Sequence, residues 1–228
     1  MQDMQKIQYN GKFVTKKGTV HYRKGTVQDA GQIAHMYEEV AIHRDNYQER
    51  LCKDGENSFE KKGGMFLVMT EAEIRRRLQD PSSFWAVMED EKGIVIGCFW
   101  FLDSGRKGIA FPMEILASEA WSGNSIGRYL YDTSFCAMKD VGYKCSICEV
   151  YEVTGFQRMD GGGRGKGREQ ACLLNGPSYH VLTEIGGIEF EMGDEKQIVL
   201  EELRVWVRPH RFLCWHEESI RLTRRRRG

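Results

Sequence analysis

Two short passages hold the residues best suited to bind an anion or move a proton. The first is SGNSIGRYL, residues 122–130, in which small side chains at Ser122, Gly123 and Ser125 precede a run with helical spacing. Successive backbone N–H groups at a helix start, left open by small side chains, form an anion site fit for a phosphate, and Arg128 adds positive charge beside it. The second is IAFPMEILA, residues 109–117, where Glu114 interrupts an apolar strand. Ile109, Phe111, Met113, Ile115 and Ala117 then line one face and Glu114 points to the other. Partial burial there raises a carboxyl toward neutrality, which suits a general base. A carboxylate paired with a nearby Arg or Lys is the other reading. Pro112 cannot donate in a strand ladder, and a bulge at that point would change the facing of Glu114. Glu149 in the following strand is a further acidic candidate.

Other chemistries find less support. His35 and His43 fall in the first helical region and suit packing or solvent, and no two histidines have metal-ligand spacing, so no metal is expected. Cys145 and Cys148 form a lone C-x-x-C, but in a strand, where residues three apart face opposite ways. Seven scattered cysteines in apolar segments read as reduced thiols. In GFQRMDGGGRGKGR, residues 155–168, Asp160 stands where a Walker loop needs glycine and Gly167 where it needs Ser or Thr. That stretch reads as a basic flap beside the acceptor cleft or as a plain flexible loop.

The elements that must position these groups follow from periodicity. Residues 1–18 are polar and read as a lead-in with a short strand near Lys12 to Thr15; a strand over 19–27 and a helix over 30–41 come next, the helix with Ile33, Met36, Tyr37 and Val40 on one face and Asp29 as N-cap. Residues 44–64 read as a helix fragment and loop. Thr70 and Glu73 form a capping box for a helix ended by Pro81. Strands at 83–88 and 94–101 form a hairpin and a third follows at 109–117. A helix from about residue 126 to Gly142 and a strand over 145–153 make a parallel crossover. A helix over about 177–185 and one long final strand, 198–207, complete the unit.

Net charge is zero, which argues against an obligate polyanion partner. The charge is nevertheless uneven: seven acids between Glu184 and Glu202 face Lys196 alone, and eight arginines fall in the last 25 residues. The tail reads as a solvated end. No apolar run reaches the roughly 20 residues that span a bilayer, and residues 1–12 hold no leader-type apolar segment, so no membrane role and a cytoplasmic location are expected.

In element order, and in the passages YRKGTVQDA (22–30), FWAVMEDEKGIVIG (84–97), SGNSIGRYL and NGPSYHVLTEIG (175–186), the chain resembles the GNAT superfamily of acyl-CoA-dependent N-acyltransferases. The resemblance implies an α+β fold, mixed α/β in character. A central, mostly antiparallel sheet would carry a parallel crossover at the pyrophosphate loop and be flanked by helices over residues 19–207, with residues 208–228 as a basic extension. It implies acetyl-CoA as co-substrate and a primary amine on a small molecule or peptide as acceptor. Backbone at Leu116 and Ala117 would polarise the thioester carbonyl. Ser122, Gly123, Asn124, Ser125, Ile126, Gly127 and Arg128 would hold the pyrophosphate, with Asn175 and Ser178 completing the cofactor site. In that loop only Gly127 matches the superfamily's usual letters. The tyrosine that often protonates the departing thiolate would fall at Leu182, so Tyr179, one turn earlier, is the candidate acid. Paired final strands are a common route to a homodimer in this superfamily. Two other readings remain open: a CoA-binding scaffold without catalysis, and a nucleic-acid module using the basic loop and the arginine tail.

Overall fold

The computed structural model describes residues 4–40, 69–158, 168–174, 176–200 and 203–214. The strands β3 (Ser83–Glu89) and β4 (Val95–Asp103) are apolar on both faces and almost wholly buried, because helices cover the sheet on each side. They pair antiparallel, and β5 (Ile109–Ala117) pairs antiparallel with β4, giving the three successive strands the alternation predicts.

The short strand expected near Lys12 to Thr15 is present as the first strand of the sheet. β1 (Asn10–Thr15) and β2 (Gly18–Lys24) form a hairpin, β2 pairs with β3, and Met4, Ile7 and Tyr9 are buried. The segment before residue 18 is therefore part of the folded unit, not a loose lead-in. Its aromatic residues explain this: Phe13 stacks on Tyr129, ring centres 3.8 Å apart, and Tyr9 shares a 2.8 Å hydrogen bond with Thr133.

Two helices cover one face of β3–β5. Helix α1 (Ala30–Val40) and helix α2 (Glu71–Leu78) pack Ile33, Met36, Tyr37 and Ile74 against Trp85, Val87, Cys98, Trp100 and Leu116. Asp29 is not the α1 cap. It lies in a preceding 3-10 turn, accepts from Thr26 N–H at 2.7 Å and binds Arg23 through both carboxylate oxygens. Thr70 does cap α2, accepting from Glu73 N–H.

Helix α3 (Ile126–Asp140) and helix α4 (Gly176–Glu184) cover the other face, where Phe84, Phe99, Phe101, Leu130, Tyr131, Phe135, Leu182 and Phe212 form the larger core. Each such side chain withdrawn from water contributes about 1.5–3 kcal/mol. Gly97 on β4 lets α3 approach: a Cβ there would lie 2.8 Å from Ile126 and 3.1 Å from Leu130.

Beyond β5 comes β6 (Cys145–Arg158), parallel to it, then β10 (Leu203–Cys214) and β8 (Ile188–Met192). The parallel pairing is confined to Ile109 opposite Cys145 and Ala110 opposite Ser146. Past Ala110, β5 carries Pro112, which has no N–H to donate, and a bulge, and the two strands cease to pair. The edge of β6 that β5 leaves is taken up from Glu152 to Phe156 by β7 (Glu169–Leu174), the returning arm of the basic loop. The long final strand expected over 198–207 is two strands, β9 (Lys196–Leu200) and β10, joined antiparallel from Leu200 opposite Leu203.

Candidate functional site

The wedge between β5 and β6 is bounded by the residues that the sequence marks as chemical. On β5 the register passes from Trp100 opposite Glu114 to Phe101 opposite Pro112, so Met113 is the extra residue of a bulge. The apolar stripe expected from Ile109 to Ala117 is therefore broken. Phe111 and Met113 are 37% and 46% exposed, whereas Ile115 and Ala117 pack on the α3 core. Glu114 sits with Trp100 and Leu116 on the face covered by α1 and α2.

Its surroundings are mostly apolar. Trp85, Trp100 and Glu114 stand in a row across three strands, with the two indoles stacked at 5.1 Å and 7°. Tyr37 on α1 donates its hydroxyl proton to Glu114 Oε2. The Arg77 guanidinium lies 4.7 Å from the Trp100 ring centre, tied through Nε to Glu73 at 2.8 Å. Among the described residues no ion pair reaches Glu114. Burial pushes its carboxyl above the ordinary carboxylate range, while the Tyr37 hydroxyl, the nearby Trp100 indole and the Arg77 charge act in the opposite direction. That indole N–H is buried without completing a hydrogen bond, as is that of Trp85.

The two backbone candidates differ. Ser118 N–H donates to Ile96 O at 2.9 Å, and antiparallel pairs alternate between bonded and non-bonded registers. Leu116, opposite Cys98, therefore spends its N–H on β4, and Ala117, opposite Gly97, turns its N–H to the open edge of β5.

The loop after β5 ends in a nest of amides. Gly123 has φ +75° and Ser125 φ +59°, and Ser125 is followed directly by helical Ile126. A left-handed residue before a right-handed one turns three consecutive N–H groups, those of Ser125, Ile126 and Gly127, toward one point. The first intrahelical bond is Tyr129 N–H to Ser125 O at 2.9 Å, so the amides of Ile126, Gly127 and Arg128 have no partner within the helix. The Ser125 hydroxyl does not cap them, and Asn124 turns its amide back to Trp121 O and Ser122 O. Space is available: a Cβ on Gly123 meets nothing within 4 Å, and one on Gly127 only Ile115 at 4.0 Å. Arg128 is drawn to Asp132 and Glu184, each at 3.9 Å.

Helix α4 carries the remaining candidates. Asn175 lies outside the described residues; Ser178 and Tyr179 occupy the first turn, and Leu182 is buried in the core. Tyr179 packs edge-on to His210 and Phe212 and donates to Glu189 Oε2 at 2.6 Å, a bond to a carboxylate that raises the phenol's pKa. Several acids of the stretch have partners within the protein. Glu184 meets Arg128 and His180, Glu189 meets His210, Glu191 meets Arg211, and Glu195 meets Arg168.

Tyr37 and Trp100 are the site residues that sequence reasoning missed, since both read as members of apolar faces. A hydroxyl on the buried face of a helix was the available signal, because such a group needs an acceptor. The candidate helix fragment over 44–64, the basic loop over 159–167 and the arginine tail lie outside the described residues. Among those described, no helix is long and apolar enough to cross a membrane.

No protein-family model matches the sequence, and no curated protein matches it either. Solved structures do. The GNAT domain of a Streptomyces lividans protein, PAT, matches with a TM-score of 0.50 at 13% identity, over 87% of this chain and 95% of that one. A spermidine N-acetyltransferase chimera of Vibrio cholerae SpeG and hSSAT matches with a TM-score of 0.55 at 13% identity, over 88% and 98%. A candidate acetyltransferase from Salmonella typhimurium, solved with its cofactor acetyl-CoA, gives 0.53 at 10% identity, over 87% and 95%. The chain has the GNAT fold, the α+β architecture the sequence resemblance implies.

Proposed function

We propose that this protein is an N-acetyltransferase that passes an acetyl group from acetyl-CoA to a primary amine by direct attack in a ternary complex. The observation that carries the reading is the open edge of β5, which sets the free Ala117 amide between a partly buried carboxylate, Glu114, and the amide nest at Ser125–Gly127. The loop and α3 amides suit a pyrophosphate, with dipole and N–H groups acting together. The Ala117 N–H is placed to polarise a thioester carbonyl, and holding both reactants at one edge lowers the entropic cost of attack.

Glu114 takes a proton from the acceptor nitrogen as the N–C bond forms and the C–S bond breaks. The leaving thiolate needs a proton in return, and Tyr179 is the candidate on α4, with Glu189 sharing its proton. Ser178 and Asn175 belong to the cofactor end of the site on the strength of the family resemblance.

Calorimetric titration with acetyl-CoA tests the binding half. Saturable binding is expected, and it should weaken at least tenfold in Gly127→Glu, which sets a carboxylate against the nest. No binding at millimolar acetyl-CoA overturns the reading. Thiol release across a panel of amines tests the chemistry, and binding without release would leave a CoA-binding scaffold.

A further inference from the structure

We propose that Tyr37 is a positioning residue that orients Glu114 and keeps it ionised, an inference that rests on the reading of Glu114 as the base. Tyr37 lies on the sheet-facing side of α1, fully buried and shut off from solvent, so its hydroxyl must find an acceptor within the protein. Its hydroxyl reaches across to β5 and donates to Glu114 Oε2. Oε1 accepts no hydrogen bond among the described residues. One carboxylate oxygen is thereby pinned and the other left to receive the proton of the attacking nitrogen.

The need for such a device comes from the site itself. A carboxyl next to stacked indoles is driven toward its neutral form, and a neutral carboxyl cannot act as a base. Among the described residues the groups that face Glu114 are Tyr37 from α1, Arg77 from α2, and Trp100 and Cys98 from β4. Cys98 is held protonated by burial and by Glu114 itself, and so contributes no charge. Arg77 acts from above Trp100 without a direct bond. Among the described residues Tyr37 is the group that completes a hydrogen bond to the carboxylate, the Trp100 indole N–H lying near without completing one, and burial together with the Glu114 charge pushes the Tyr37 pKa far above its usual value, so it stays a donor throughout the working pH range.

Tyr37→Phe keeps the ring and removes the bond. The acid limb of the kcat/KM profile is expected to move to higher pH by about one unit and the high-pH plateau to fall as the base loses its orientation, with acetyl-CoA affinity unchanged. Carbon-13 titration of the glutamate carboxyls, with Glu114 assigned through Glu114→Gln, is expected to show the same upward move of the Glu114 midpoint in Tyr37→Phe. An unmoved midpoint overturns the proposal whether or not the enzyme turns over, whereas full activity of Glu114→Gln overturns the base assignment alone. Should Tyr37→Phe not fold, the phenolic proton of Tyr37 serves instead. It is expected far downfield in the wild-type protein and upfield in Glu114→Gln, and a resonance that does not respond overturns the proposal.

Discussion

Two groups of carboxylates, one on each side of the wedge, differ in what holds them. On the β6–β10–β8 side every named acid has a cationic or hydroxyl partner. Arg168 forks onto Glu195 and lowers its carboxyl to about 2, with Thr154 helping. Tyr179 and His210 lower Glu189, and at Glu149 the cost of burial is outweighed by Arg211 and Tyr151. On the β5 side Glu114 has a phenol and the Trp100 indole against it, no bonded cation among the described residues, and the opposite shift. Paired acids are spent on architecture. An acid held in an apolar setting without a cation is the one able to accept a proton near neutral pH.

The largest expected effect breaks the unpaired side. Glu114→Gln should lower acetyl transfer by about a hundredfold to ten-thousandfold. It should do so without loss of fold, because the sign of the linkage runs the other way. A carboxyl whose folded pKa is raised contributes stability below its unfolded pKa and loses it as pH rises through the folded value. The variant should therefore melt at or above the wild-type temperature at pH 8, as read by calorimetry. The same linkage has the other sign for Glu149, Glu189 and Glu195. Their stabilisation is present above the unfolded pKa and is lost as pH falls through the lowered folded values, so wild-type stability should decline below about pH 4.

Packing comes next in size. Gly97→Ala puts a methyl 2.8 Å from Ile126 and 3.2 Å from Leu116 O, and α3 must shift to admit it. A loss of about 1–3 kcal/mol in denaturant unfolding is expected, with weaker acetyl-CoA binding because the nest moves with the helix. Ser125→Gly should act in the opposite direction. It relieves a left-handed backbone that a side chain resists, and a gain of about 1 kcal/mol is expected with binding kept. A melting temperature that falls in Ser125→Gly would show that the left-handed turn is not the strained element. The smallest effect belongs to the paired side. Arg168→Ala should cost at most about 1 kcal/mol, and less in high salt, since the pair it breaks is largely solvent-facing.

Local rules made much of this fold legible. Alternating and continuous apolar runs placed β3, β4 and β5, Thr70 and Glu73 placed the start of α2, and Gly142, with φ +94°, ends α3 as expected. The loop after β5 was readable as a position even though its letters were unusual, because small side chains before a helix were enough. The bulge was half legible. Pro112 signalled it, but not that Met113 would be the extra residue, and so the five-residue stripe was misdrawn. The division of residues 196–214 into β9 and β10 was hidden because no Gly, Pro, Asn or Asp stands between Leu200 and Leu203 to signal the reversal.

By itself, then, the sequence determined the order of elements, the apolar faces and the run of small residues at the start of α3, since periodicity and turn chemistry act over a few neighbours. Only the tertiary structure decided which carboxylate is left without a cation, which of two adjacent amides faces the open edge, and that a phenol 77 residues away steadies the candidate base. Those outcomes depend on register between strands and on what a helix brings across the sheet. Both are settled by packing the whole chain, and no local stretch contains them.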